Sequence, residues 1–243
     1  MQKHMLIILN NKNYSIILIN GRYNKYDFCL GCEKVMMFDT NNMNKDHLDF
    51  FQELENIGAG HAATALSVMM DREITLCVPR AQFCEYGEIT SIMRGPENVV
   101  VGLLVGISDD VNGFILLVLD LADARMLANT VLGEPEDKPN EDTDFNEMQE
   151  SALREVANIL IGSYITAIST LTGLRINASV PELVVDMAGA IMNLLPAAYG
   201  EYGDHVLFLE TKFEDQAQCI YGHFFLIPDV ESYKYIMEKM GIA

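Results

Sequence analysis

The sequence predicts an α/β fold made of two related halves, an internal duplication with pseudo-twofold symmetry in which one continuous β-sheet runs through both. Three observations lead there. Helical periodicity alternates with short apolar, strand-like runs. The order of these elements occurs twice along the chain. The copies also align without a gap at an offset of 102 residues. Glu53, Asn56, Ile57, Gly60, Thr64, Ala65, Ser67, Ile74, Val78 and Pro79 each recur 102 positions later, 10 identities in the 27 positions from 53 to 79. A single half of about 90 residues would leave a sheet face and strand edges open to water. Joining the halves about a twofold covers them, so the expectation is one domain, not two.

Residues 1–42 stand apart. They carry five basic and three acidic side chains, +2, while residues 43–243 carry −21 of the chain's net −19. Two short apolar stretches, 5–9 and 14–19, are interrupted by asparagines and have the pattern of a hairpin. The segment reads as an N-terminal extension ahead of a single domain, 43–243. That domain holds two repeats, about 46–133 and 148–241.

In the first repeat, Leu48, Phe51, Leu54, Ile57, Ala62, Ala65, Leu66 and Met69 recur at three and four, predicting a long amphipathic helix over 48–70. Glycine and alanine at 58–60 and 62–63 leave room for another element to approach closely. A strand over 73–78 is expected to end at Pro79, because proline cannot donate to a ladder. Residues 82–93 read as a short helix, 98–108 and 114–119 as two strands around a turn, and 121–132 as a helix stopped by Gly133. Residues 134–150 hold eight acids, one lysine and two prolines, the composition of a solvated linker. The second repeat follows: a helix over 151–172, a strand over 174–180 ended by Pro181, and a helix over 183–195. Strands over 205–213 and 219–227 and a final helix over 229–240 complete it.

The acidity works against binding of nucleic acid or of an anionic membrane surface. No apolar run reaches the roughly 20 residues that span a bilayer, and the N-terminus lacks the pattern of a secretory leader, so the expected compartment is the cytoplasm. Five cysteines do not make a disulfide framework, and the lone Cys29-x-x-Cys32 pair has no partner pair for zinc.

Each long helix opens with a polar set: Asp49, Glu53 and Asn56 in the first copy, Ser151, Glu155 and Asn158 in the second. Offsets of 0, 4 and 7 at 100° per residue fall within about 60°, so each set shares one face. Asp49 and Ser151 also suit a helix start, and Glu and Asn suit any exposed surface. The recurrence of Glu-x-x-Asn at one distance from one proline, twice, raises the functional reading. Asparagine cannot ionise but can hold a water through its amide, and glutamate can engage a partner's cation. That inventory suits the orientation of an attacking water at a phosphoryl group whose metal and charge clamps lie elsewhere. The sequence has no P-loop and no metal-ligand set of its own. His61 reads as a packing or capping residue.

At these residues the chain resembles the CheC family of bacterial chemotaxis phosphatases, of the CheC, CheX and FliY type. The family pattern is Asp or Ser, three residues, Glu, two residues, Asn, twenty-two residues, Pro. Asp49, Glu53, Asn56 and Pro79 match it, and Ser151, Glu155, Asn158 and Pro181 match it again. The stretches 55–67, 157–169 and 179–193 are similar to the family's, and the resemblance covers about 46–240. It implies a CheC-like fold in which both long helices lie side by side on a continuous sheet. It implies a substrate, the aspartyl phosphate of the receiver CheY, and Mg2+ held by that receiver, with no cofactor bound by this chain. By the resemblance Asn56 and Asn158 orient the water, Glu53 and Glu155 pair with the receiver's lysine, and Asp49 and Ser151 shape the helix starts. It also implies binding of CheD, a receptor-modifying deamidase, through the helix after Pro181 with Asp186. The corresponding stretch 81–93 is more polar. Two motif copies, with the second repeat running to the end of the sequence, favour the CheC branch.

Three functions are in competition: a phosphatase for phosphorylated CheY, a binding protein that sequesters CheD or the receiver with little turnover, and a flagellar switch component. The retained Glu and Asn pairs favour the first, and the lack of an appended switch region weighs against the third.

Overall fold

The computed structural model describes residues 4–10, 13–19, 34–39, 53–134, 144–199, 205–214 and 219–239. The sheet is centred on sequence with little polarity. Strands β5 (Val99–Asp109), β6 (Gly113–Asp120) and β10 (Cys219–Pro228) are long runs of Val, Ile, Leu and Phe, the pattern of strands buried on both faces. Flanking them are β4 (Thr75–Glu85), β7 (Ile176–Ala178), β8 (Glu182–Met187) and β9 (His205–Glu214). The order is β4-β9-β10-β6-β5-β7, with β8 also on β5, and every neighbouring pair among these is antiparallel. Three N-terminal strands, β1 (His4–Asn10), β2 (Asn13–Ile19) and β3 (Lys34–Asp39), continue the sheet beyond β4. β1 and β2 form the hairpin that the sequence suggested. β3 joins β4 in parallel at Met37 and Arg80.

Alternation along β6 sorts the core into two layers. Ile115, Leu117 and Leu119 meet the face covered by α1 (Gly60–Met70), α3 (Leu121–Leu132), α4 (Glu147–Thr172) and α6 (Val230–Lys239). Phe114, Leu116 and Val118 meet the smaller cluster of α2 (Ile89–Ile92) and α5 (Ala188–Tyr199). On the larger face Tyr164 of α4 is fully buried, its ring 4.9 Å from Phe224 and its hydroxyl 3.5 Å from Thr211 Oγ1. The β5–β6 turn is stapled to the start of β7, where the Asp110 carboxylate accepts from the Arg175 backbone N–H at 2.9 Å and from its Nε at 3.4 Å.

The prolines behave differently from expectation. Pro79 does not end a strand, because β4 runs on to Glu85. Its pairing with β9 slips between Cys77 and Arg80, which face Lys212 and Glu210, so residues 78 and 79 oppose Thr211 alone. A bulge removes a residue from the ladder, which is where a residue without an N–H fits. Hence 82–85 are strand, and only 86–92 turn into short helix. Pro181 lies in the equivalent irregularity. Ala178 faces Ile107 and Glu182 faces Leu104, leaving 179–181 opposite two residues of β5. Residues 183–187 are then strand rather than helix, because Val184 and Val185 are β-branched and pair with β5. The helix begins only at Ala188.

Candidate functional site

The second long helix starts earlier than its periodicity indicated. Asn146 caps α4 by accepting from Gln149 N–H at 2.9 Å, and the Gln149 side chain accepts from Asn146 N–H at 3.2 Å. Gln149 also donates to Asn129 Oδ1 of α3 at 3.0 Å, fixing the helix start against its neighbour. Ser151 therefore lies in the second turn, exposed, and does not cap the helix. Glu155 and Asn158 follow on the same exposed side, while Leu153, Val156, Ala157 and Leu160 are buried beneath them. Arg154 pairs with Glu150 one turn back at 2.9 Å.

In the first copy Glu53 and Asn56 are likewise exposed, over buried Leu54 and Ala59. Asp49 lies outside the described residues, as do Cys29 and Cys32. The helix here is not uniform, for Glu55–Ala59 form a π-turn before α1. Such turns insert a residue into the helix and recur at functional sites. The turn brings Gly58 against α4: a Cβ on Gly58 would lie 2.6 Å from Tyr164 Cδ1 and 3.5 Å from the Ala167 Cβ. This is the close approach that the Gly/Ala-rich stretch foretold. His61 is exposed on the first turn of α1, whose start has no side-chain cap.

Among the described residues, no hydrogen bond or ion pair engages the side chains of Glu53, Asn56, Glu155 or Asn158. The two pairs lie on the two segments that touch at Gly58 and Tyr164. Asp186 is elsewhere, in β8 rather than on a helix, opposite Val100 of β5, and its carboxylate accepts from the next residue's N–H at 2.7 Å. Two exposed glycines, Gly60 and Gly162, lie one turn beyond the asparagines. No group of three His, Cys, Asp or Glu among the described residues could hold a metal ion, and no described helix is long and apolar enough to cross a membrane.

The chain is thus a layered α/β protein with two exposed Glu-x-x-Asn pairs on segments that touch. Comparison with known proteins gives the family. The model of the CheC-like family matches residues 148–185. The CheY-P phosphatase CheC of Bacillus subtilis (strain 168) is 31% identical over 205 residues, 84% of this chain and 98% of the relative. The flagellar motor switch phosphatase FliY of the same organism is 26% identical over 145 residues, 60% of this chain and 37% of the relative. The crystal structure of Thermotoga maritima FliY superposes with a TM-score of 0.63 at 24% identity, covering 81% of this chain and 98% of that one, which shows the fold. The chain belongs to the CheC-like family.

Proposed function

We propose that this protein is a phosphatase that hydrolyses the aspartyl phosphate of a CheY-type receiver, with one site on each long helix. The observation that carries the reading is the pairing of exposed Glu and Asn at the same spacing in both copies, Glu53 with Asn56 and Glu155 with Asn158, without internal partners among the described residues. An unengaged side chain on a rigid, packed helix is available to a docking protein at no cost in broken contacts. Each asparagine amide orients a water towards phosphorus. The water oxygen bonds to phosphorus as the bond from phosphorus to the aspartyl oxygen breaks, freeing the carboxylate and an inorganic phosphate that keeps both protons of the water. Asparagine takes no proton. Each glutamate pairs with the receiver's active-site lysine and so sets the approach of the amide. The Mg2+ that such chemistry uses is assigned to the receiver; among the described residues no group of three His, Cys, Asp or Glu could seat it.

Two further features support descent of the two sites from one. The strand order β4-β9-β10-β6-β5-β8 reads the same from either end when β4, β5 and β6 are exchanged for β8, β9 and β10. The long helices also end alike, with Asp71 and Gly173, 102 residues apart, both in the left-handed region. A second reading, capture of CheD, draws on Val180 and Met187, apolar side chains 80% and 46% exposed on either side of Asp186.

The test is phosphate release from a phosphorylated receiver by Asn56→Ala, Asn158→Ala and the double variant. Each single variant should lose its own share. The double should fall by roughly a hundredfold, the equivalent of about 3 kcal/mol of transition-state stabilisation. A folded double variant that works at the parent rate would rule out the water-positioning role.

A further inference from the structure

Four glycines lie within the α-helices and the π-turn, on either side of the sheet, and they divide into two kinds. Gly58 and Gly189 are explained by crowding. An added Cβ would meet Tyr164 at 2.6 Å in the first case and Pro96 at 3.0 Å in the second. Gly60 and Gly162 have no such reason. Both are exposed, neither has a positive φ, and nothing lies within 4 Å of a Cβ built on either. Glycine inside a helix costs stability relative to alanine, so its presence twice calls for a cause outside the chain. The two are equivalent positions, 102 apart, and each follows its candidate asparagine by four residues, one turn on. The local bonding is the same as well. Thr64 Oγ1 donates to the Gly60 carbonyl at 2.9 Å and Thr166 Oγ1 to the Gly162 carbonyl at 2.7 Å. Each threonine thus turns its hydroxyl onto the helix, leaving a bare stretch of backbone beside the asparagine.

We infer that Gly60 and Gly162 are positioning residues for the receiver: each leaves a notch into which the partner's backbone seats, bringing the phosphoryl group up to Asn56 or Asn158. The inference rests on the phosphatase reading above and adds the surface that sets the approach distance. A methyl group at the notch holds the partner off by about the length of a carbon–carbon bond. A misplacement of that size matters because reacting groups must meet within a fraction of an ångström.

The experiment compares the parent with Gly60→Ala, Gly162→Ala and the double variant, in the full chain. The readouts are steady-state dephosphorylation of a CheY-type receiver charged with acetyl phosphate, binding of the same receiver charged with beryllofluoride, and a thermal melt. Each substitution is expected to raise the melting temperature by about 2–3 °C, since alanine is the better helix former. The double variant is expected to raise KM and the beryllofluoride-receiver Kd by on the order of tenfold or more, and to lower kcat as well because the phosphoryl group is held short of the asparagines. A protein made more stable and less able to engage its substrate is not the result of a merely structural role. Parental KM and Kd in the double variant overturn the notch while leaving the phosphatase reading intact. So does a fall in melting temperature, which would give the glycines a folding role, or a loss confined to kcat. A parent that neither binds nor hydrolyses the receiver overturns both.

Discussion

The contact between Gly58 and Tyr164 gives a prediction whose size follows from the packing. In Gly58→Ala the new Cβ would stand 2.6 Å and 2.9 Å from two ring atoms of Tyr164. The ring cannot yield: it is fully buried, with Phe224 at 4.9 Å on one side and its hydroxyl at Thr211. Overpacking of this kind costs about 1–3 kcal/mol. Alanine returns up to about 1 kcal/mol of helix propensity. The net loss is about 1–2 kcal/mol, a fall of roughly 3–6 °C in melting temperature for a chain of this size. The assay is urea unfolding of Gly58→Ala, Tyr164→Ala and the double variant. Tyr164→Ala alone should cost about 3–5 kcal/mol through its cavity. In the double variant the methyl group enters space the ring has left, so the costs should fall short of their sum by at least about 1 kcal/mol. Because Gly58 follows Asn56 by two residues, the same substitution should lower phosphate release from the first site. Strict additivity, or a Gly58→Ala protein as stable as the parent, would refute the argument that a missing side chain lets the two segments pack this closely.

Three other outcomes are expected. The backbone N–H of Arg175, then its side chain, hold the Asp110 carboxyl below the usual carboxylate range. Its contribution is therefore present above that range and lost as pH falls through the lowered value. Asp110→Asn should be less stable than the parent at neutral pH and no different in strong acid, by thermal melts across pH. Residues 1–42 should be dispensable for folding of the rest. Removing them should cost less than about 3 kcal/mol, compared by thermal unfolding of residues 43–243, because β3 touches β4 at one paired position. Asp186→Ala should weaken titration with a CheD protein while leaving receiver dephosphorylation unchanged, since Asp186 pairs with Val100 and alternates with Val184, both of the cluster on the sheet face opposite the long helices.

Periodicity made most of the sheet legible, because long apolar runs such as 114–119 and 219–227 have few alternatives to a buried strand. The candidate residues stood out for another reason: the repetition of Glu-x-x-Asn supplied a second observation of each. The prolines misled. A proline stops a strand only if the ladder needs its N–H, and neither Pro79 nor Pro181 occupies such a place once a bulge is present. Val184 and Val185 were absorbed into a helix because apolar residues continue past them without a break. The early start of α4 was hidden in an acidic stretch, where Asn146 and Gln149 look like any other polar residues until their reciprocal bonds are seen. The π-turn has no signature in periodicity at all.

The junction between α3 and α4 has a practical meaning. Arg125 donates to the Asp144 carbonyl at 3.0 Å and stacks over Phe145, with 4.6 Å between the guanidinium carbon and the ring centroid. One turn further along, Asn129 receives Gln149. The end of the linker is thus clamped by side chains of the preceding helix, and the register of α4 does not depend on how many residues come between. Loop-closure entropy rises only by about 0.6 kcal/mol for each doubling of length. The segment 135–143 is accordingly the place to graft a fluorophore, an affinity tag or a whole folded module. Such an insert would report on the protein from ahead of the helix that carries Glu155 and Asn158, while leaving that helix anchored as before.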